Sequence, residues 1–268
     1  MEPDRITNLP DNVIEGILLH LPMRDAVRTS ILSSKWRYKW ATVPYLVFNK
    51  VFCPFYQNPT DITSKIVSII DRVLVLHFGV IHKFELSHRE FEAVSDIDRW
   101  ILHLSRRSIE NIVLEIWQSE AYKYLAVGIE PHKLPEPHVE LKYISIYINL
   151  NNHEDSLTFL CLLSTAPNLD ELEMTAHPEE QTIGGIDTNF WEDGCWNLPF
   201  SKLRVVKITG ISGAKPEMDF IKFVLLNSPA LERMVVEPVF TSDRWELVTK
   251  LLCFKRASNQ AEIIYKNP

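Results

Sequence analysis

Apolar residues recur along most of this 268-residue chain in one local arrangement. An apolar residue is followed by two others, a second apolar residue, one other and a third apolar residue. The period of two between the last two apolar positions predicts a short β-strand in each core. The six cores are Ile81-Phe84-Leu86, Ile109-Ile112-Leu114, Leu141-Ile144-Ile146, Leu169-Leu172-Met174, Leu203-Val206-Ile208 and Leu231-Met234-Val236. Their first residues lie 28, 32, 28, 34 and 28 positions apart, which indicates a repeated structural unit.

Stretches with the period of an amphipathic helix lie between several of these cores. We predict helices over residues 96–107, 154–165 and 217–227. Strands and helices in this series imply parallel strands with the helices outside them. The core spacing is that of a leucine-rich repeat with somewhat long and irregular units. Of the six positions where such repeats often place Asn or Cys to bond the loop backbone, only Asn149 fits.

The first 45 residues follow a helical pattern without strands. We predict one helix opened by Pro10, a second that starts at Pro22, and a third that is capped by Ser33 or Ser34 and runs to Pro44. A segment of about 40 residues buries too little apolar surface to be stable alone. Its apolar faces should therefore pack either on the rest of the chain or on a partner protein.

The stretch KWRYKW at 35–40 alternates cations with aromatic rings, as a nucleic-acid surface would. On a helix, however, Leu32, Trp36 and Trp40 share one face, while Lys35 and Lys39 form a separate edge. We therefore favour a packed amphipathic helix. The formal net charge of −7 also argues against nucleic-acid binding by bulk electrostatics.

Composition and motifs indicate a soluble protein without an active site. The N-terminus has no apolar signal segment, and the most apolar stretch, residues 66–81, is too short and too polar to span a bilayer. Common nucleotide, metalloprotease and hydrolase motifs are missing, and His77, His82 and His88 match no metal-ligand spacing. The glycines of GISG, Gly210 and Gly213, suit a strand-to-helix turn. We expect no catalytic residue, cofactor or metal.

Two further features bear on compartment and partners. The four cysteines have no paired spacing, which favours the cytoplasm or nucleus; they are Cys53, Cys161, Cys195 and Cys253. Trp191 and Trp196 lie in a long acidic and glycine-containing connection. They either bind a target protein or fill space in an irregular repeat.

Residues 9–37, LPDNVIEGILLHLPMRDAVRTSILSSKWR, strongly resemble an F-box in its plant form. The resemblance implies binding to a Skp-type adaptor, and through it to the cullin of a ubiquitin ligase. It assigns nine residues to the adaptor surface or to the small core behind it. These are Leu9, Pro10, Ile14, Leu18, Leu21, Pro22, Val27, Leu32 and Trp36. The sequence does not separate surface from core.

Residues 198–238, with the tail FKRASNQAEIIY, resemble the FBD region of plant F-box/leucine-rich-repeat proteins. IHKFELSH and DIDRWILHLSRRSIENIVLEIW resemble early repeats of the same family. We predict an F-box at 1–45, degenerate repeats at 46–197 and an FBD region at 198–268 that continues the repeats. Family members are longer, with further repeats after LEIW, so the chain resembles a shortened member.

The predicted fold is therefore α/β: a three-helix F-box followed by a leucine-rich-repeat-type solenoid of parallel strands and outer helices. The resemblance implies a non-catalytic substrate-recognition subunit of an SCF-type ubiquitin ligase, with no nucleic-acid or membrane partner. The alternative is an interaction protein, or a truncated competitor, without a ligase role. The sequence names neither the target protein nor any small-molecule co-ligand.

Overall fold

The computed structural model describes residues 6, 8–49, 59–89, 94–117, 137–151, 153–176, 190–193, 198, 200–239 and 244–266. The chain divides into two compact units, residues 1–123 and 124–268. Both units combine parallel strands with helices, which confirms the predicted α/β class.

The N-terminal module of the first unit is helical, as predicted. Helix α1 spans Asp11–Leu19 and α2 spans Met23–Arg28, and they are preceded by Pro10 and Pro22 respectively. Proline suits both places because its fixed φ matches the start of a helix and its missing N–H would have no helical partner there. The first two predicted helices are therefore confirmed.

The third predicted helix is replaced by turns and short 3-10 helices at Thr29–Ile31 and Lys39–Thr42. The Trp36 N–H donates to the carbonyl of Ser33 at 3.2 Å, and the Lys39 N–H donates to that of Trp36 at 3.2 Å. These bonds span three residues instead of four, which tightens the chain. The tryptophans are nevertheless buried as the pattern predicted, whereas Leu32 is exposed.

Three parallel strands complete the first unit: β1 at Tyr45–Phe48, β2 at Lys83–Arg89 and β3 at Asn111–Trp117. They pair in chain order, so that Leu46 aligns with Phe84 and Phe84 aligns with Ile112. Helices α3 (Pro59–Leu76) and α4 (Val94–Ser105) lie between them in the chain. Strand β1 and helix α3 were not predicted.

The second unit contains five parallel strands, paired in chain order. The strands are β4 (Tyr143–Ile148), β5 (Glu171–Ala176), β6 (Val205–Ile211), β7 (Arg233–Pro238) and β8 (Glu262–Tyr265). The helices are α5 (His153–Ser164), α6 (Phe190–Asp193), α7 (Lys215–Asn227) and α8 (Arg244–Cys253).

All six predicted repeat cores are found as strands, and their apolar positions are buried except for the half-buried Ile146. Parallel register stacks equivalent residues into rows, for example Leu172, Val206 and Met234. One strand and one helix cannot cover such a row, so each repeat is stabilised by its neighbours in the stack.

Two predictions about single residues in the repeats are confirmed. Gly210 and Gly213 have φ of +76° and +89°, and a Cβ on Gly210 would lie 2.5 Å from the carbonyl oxygen of Ala176. Only glycine fits that position. The side-chain oxygen of Asn149 accepts a hydrogen bond from the backbone N–H of Asn151 at 2.9 Å.

Candidate partner-binding surface

Side chains of the KWRYKW segment bind three positions near the start of the helical module, Ile6, Leu9 and Asp11. The ring N–H of Trp36 donates to the carbonyl of Ile6 at 3.1 Å, and the Lys35 ammonium donates to the carbonyl of Leu9. The Nζ atoms of Lys35 and Lys39 lie 3.4 and 3.1 Å from the carboxylate of Asp11. The two tryptophan rings point inward, whereas Tyr38 and these two cations lie at the surface, in agreement with the packed interpretation of Trp36 and Trp40 and not with a stacking platform for bases.

Asp11 is the first residue of α1, where a negative charge is favoured by the helix dipole. Its pKa lies below the ordinary value, chiefly because Lys39 hydrogen-bonds to the carboxylate and further because both lysines are positively charged. The carboxylate is therefore ionised at neutral pH and ties the start of α1 to the segment after Ser34.

The structure divides the nine residues that the sequence assigned to the surface or to the core behind it. The buried ones are Ile14, Leu18 and Trp36. The half-buried ones are Leu9, Leu21 and Val27. The exposed ones are Pro10, Pro22 and Leu32. The first group belongs to the core of the module, and adaptor binding by the other six stays a prediction.

Helix α1 has apolar side chains on two faces. Ile14 and Leu18 point inward, whereas Val13 and Ile17, also four residues apart, are exposed. Gly16 follows Val13 by three positions and precedes Ile17, and a Cβ placed on it would meet nothing within 4 Å. A helix with a second apolar face is typical of one that packs on a second surface.

Exposed apolar side chains continue beyond α1. We define the module surface as Ile6, Val13, Ile17, Leu19, Ile31, Leu32 and Tyr38, together with Pro10 and Pro22. Ile31 is 88% exposed and Tyr38 is 61% exposed. The sequence prediction did not include Val13, Ile17 or Ile31 in the site. The spacing of Val13 and Ile17 on α1 is the signal that could have found two of them.

Trp191, one of the two residues weakly assigned to target binding, lies in an aromatic cluster. It is buried, and its ring centroid lies 4.9 Å from those of Phe190 and Phe220 and 5.3 Å from that of Phe223. This placement favours the interpretation that Trp191 fills an irregular repeat. Trp196 lies outside the described residues, and its role stays a prediction.

Glu217 is the most buried carboxylate among the described residues, and its hydrogen bonds stabilise the start of α7. One of its oxygens accepts hydrogen bonds from the backbone N–H groups of Ser212, Gly213 and Ala214 at 2.8–3.0 Å, and from the Ser212 hydroxyl at 2.9 Å. Burial raises its pKa, and these hydrogen bonds oppose that rise. The side chain caps the first turn of α7.

The described ranges lack the features of a metal site and of a membrane-spanning helix. They contain no group of three or more His, Cys, Asp or Glu side chains placed to hold a metal ion. None of their helices combines the length and the apolar composition needed to cross a membrane. His77 is buried, and its Nε2–H donates to the carbonyl of Val43 at 2.9 Å.

Comparison with known proteins defines the class. A family model for the F-box domain matches residues 6–48, the segment that carries the module surface. A second model, for the FBD region, matches residues 200–236. The chain thus carries an F-box domain and an FBD region, and the F-box implies binding of a Skp-type adaptor. The predicted domain limits at 45 and 197 remain predictions.

Most of the chain is similar to plant F-box/FBD/LRR-repeat proteins, as its sequence predicted. It is 25% identical to an Arabidopsis thaliana F-box/FBD/LRR-repeat protein, over 98% of both chains. It is 28% identical to an F-box/LRR-repeat protein and 34% identical to a putative F-box protein of the same plant, with 85% and 81% of this chain aligned. It spans only 60% and 49% of those two relatives.

The first comparison also shows that the chain is short for its family. About 263 of its residues are spread over 414 aligned positions, so about 150 positions have no counterpart in this chain. The prediction of a shortened member is therefore confirmed.

Proposed function

We propose that the protein is a substrate-recognition subunit of an SCF-type ubiquitin ligase. The observation that carries the proposal is the module surface: the segment matched as an F-box presents exposed apolar side chains that its own core does not use. An apolar surface of this kind is stabilised by burial against a partner. The partner is a Skp-type adaptor, which in turn binds the cullin.

In this proposal the chain carries out no bond chemistry. The F-box domain fixes the protein to the ligase, and the repeats hold a target protein close to the ubiquitin-charged enzyme. Such a subunit accelerates transfer by proximity and orientation. The target remains to be identified, and Trp196 is one residue proposed to contact it.

The proposal places the protein in the cytoplasm or the nucleus. Its support is that the exposed Cys253 carries a free thiol, as expected of a reducing compartment. Imaging of a fluorescent fusion of the full chain tests the compartment, and secretion would contradict it.

A second candidate function is a competitor that binds the adaptor without presenting a target. The observation in its favour is the stretch of about 150 aligned positions that this chain lacks relative to its full-length relative. Repeats provide the binding surface of solenoid proteins, so their loss removes candidate target contacts.

Retention of purified adaptor and cullin by the tagged full-length protein tests the two candidates. The test variant is Ile17→Asp with Leu32→Asp, which places charge on the module surface. The control is Trp245→Asp, on an exposed apolar residue of α8 that lies outside the F-box match. Both partners should be retained by the wild type and the control, and lost by the test variant. Retention of both without any ubiquitylated target in a plant extract would favour the competitor, and no retention by the wild type would overturn both.

A further inference from the structure

A second group of exposed apolar side chains lies in the first unit, outside the F-box match. These side chains belong to the end of α3 and to the loop that leads to β2. We define the Phe78 patch as Val75, Leu76, Phe78 and Val80, which are 78%, 48%, 65% and 53% exposed. Four large apolar side chains within six residues are more than the scattered exposure that is usual on a protein surface.

The loop that carries this patch is held firmly in place. The backbone N–H groups of Phe78 and Gly79 both donate to the carbonyl of Ala41, at 3.1 and 3.2 Å. A Cβ on Gly79 would lie 2.8 Å from the Cα of Thr42, so glycine permits this close approach. His77, between the exposed residues, is buried and bonded to Val43. The apolar side chains are therefore displayed from a fixed backbone, which lowers the entropy cost of binding.

The bonded residue Ala41 connects the patch to the module surface. It belongs to the 3-10 helix Lys39–Thr42 of the F-box domain, and its N–H donates to the carbonyl of Tyr38 at 3.1 Å. Tyr38 is an exposed member of the module surface. The backbone of Phe78 thus lies within about one helical turn of the backbone of Tyr38, which places the patch next to one member of the module surface.

Two arginines that follow α4 in the chain lie near the patch. The Arg107 guanidinium donates to the backbone carbonyl of His77 at 3.3 Å, and Arg106 next to it is exposed. Burial lowers the pKa of both His77 and His103, and the charge of Arg107 lowers them further. The field at this end of α3 and α4 therefore favours a partner that brings carboxylates together with apolar side chains.

We propose that the Phe78 patch is a second contact for the adaptor that binds the module surface, and that it takes an apolar, acidic segment of that adaptor. The adaptor is chosen over a target protein because the patch adjoins the module surface through Ala41. The proposal rests on the proposed function and adds to it a contact that lies outside the F-box match at residues 6–48.

The test is the affinity of the full-length protein for the purified adaptor, measured by surface plasmon resonance. Phe78→Ala with Val80→Ala removes the exposed apolar groups without touching the core. Trp245→Ala with Leu252→Ala is the matched control, because these residues are 85% and 68% exposed on α8. We expect Kd to rise at least about tenfold for the first double variant and to stay within about twofold for the control.

The contribution of the arginine charge to adaptor binding is tested with a separate variant. Arg106→Glu should raise Kd by about threefold at low salt, and the difference from wild type should shrink at high salt, because exposed charges are screened. Unchanged melting temperatures of all three variants confirm that folding is unaffected.

Each remaining outcome decides the matter. Equal affinity of the wild type and the Phe78 double variant would overturn the second contact and leave the proposed function standing. A wild type that binds no adaptor would overturn the proposed function, and the second contact with it. A wild type that is dimeric by light scattering, and monomeric in the Phe78 double variant, would assign the patch to a second copy of the chain.

Discussion

Trp36 and its two lysine neighbours hold together segments of the F-box domain that are far apart in the sequence. The buried ring bonds to Ile6, thirty positions away, and the lysines reach Asp11 at the start of α1. Exposed ion pairs contribute little stability, so the buried ring supplies most of it. The lysines instead fix the direction in which α1 presents Val13 and Ile17.

His138, which precedes β4, is a buried residue whose titration should be visible in stability. It is 3% exposed, and its backbone N–H donates to the carbonyl of Thr165 at 2.6 Å. Burial lowers its pKa to about 4 from 6.5. The unfolded chain therefore binds a proton between these two pH values that the folded chain does not bind. Stability from this group is present above about pH 6.5 and is lost as the pH falls toward 4.

We predict that the free energy of unfolding of the wild type falls by about 2 kcal/mol more between pH 7 and pH 5 than that of His138→Gln. Glutamine keeps a polar side chain of similar length but does not titrate. Urea unfolding of both proteins at pH 7, 6 and 5 measures the difference. Parallel pH profiles would show that His138 does not contribute.

Helix α1 illustrates which structural information a sequence motif contains and which it lacks. Ile14 and Ile17 are the same residue type on the same helix, yet one is buried and the other exposed. Burial in the module and burial under a partner both require an apolar side chain, so the sequence gives the same signal for each. Only the direction of each side chain separates them, and that depends on how α1 packs.

At the scale of elements, the local spacing of apolar residues predicted six strands and missed two. Strand β1 has the same spacing as the six cores, at Val43, Leu46 and Phe48. Because β1 follows the helical module directly, the sequence pattern indicates only that the module ends at Pro44 and does not reveal the strand. In β8, Ile263 aligns with Met234, which places Gln260 where the previous repeat has Leu231. Because the first position of this repeat is polar, the spacing of apolar residues does not reveal it.

The prediction of a third helix in the F-box was wrong for a different reason. The four-residue spacing of Leu32, Trp36 and Trp40 fits a helix, but the backbone hydrogen bonds observed span three residues. The side chains of Trp36 and Lys35 donate to backbone carbonyls near the N-terminus, so tertiary contacts fix the position of this segment. Such long-range partners lie outside any local pattern.

Helix α7 gives the prediction that belongs to this scale. Glu217→Ala would remove the acceptor of the Ser212 and Gly213 backbone N–H groups before α7, and the nearer of the two acceptors of the Ala214 N–H. We expect the free energy of unfolding to fall by about 2–3 kcal/mol, because buried donors without a partner are costly.

Glu217→Gln is the matched control, since its carbonyl oxygen can still accept from the same groups. Its loss should be clearly smaller than that of Glu217→Ala. Chemical denaturation of both variants at pH 7 measures the two losses. Equal losses would mean that packing of the side chain, and not the cap, stabilises this turn.

At the scale of the whole molecule, repeated strands and a helical module could be predicted because each depends on spacing within a few residues. The shortened array could be predicted only from resemblance. Its meaning for target binding depends on contacts that repeats absent from this chain would have made. The F-box match at residues 6–48 is present in this chain, so adaptor binding is the part of the proposed function that does not depend on those repeats.

The central claim is that the module surface binds a Skp-type adaptor directly. Isothermal titration calorimetry of the full-length protein with purified adaptor, at several temperatures, tests it. We predict one-to-one binding with a negative heat-capacity change, because apolar surface is buried. Ile17→Asp should abolish the binding while leaving the melting temperature unchanged. No heat of binding by the folded wild type, or binding that Ile17→Asp leaves intact, would contradict the account.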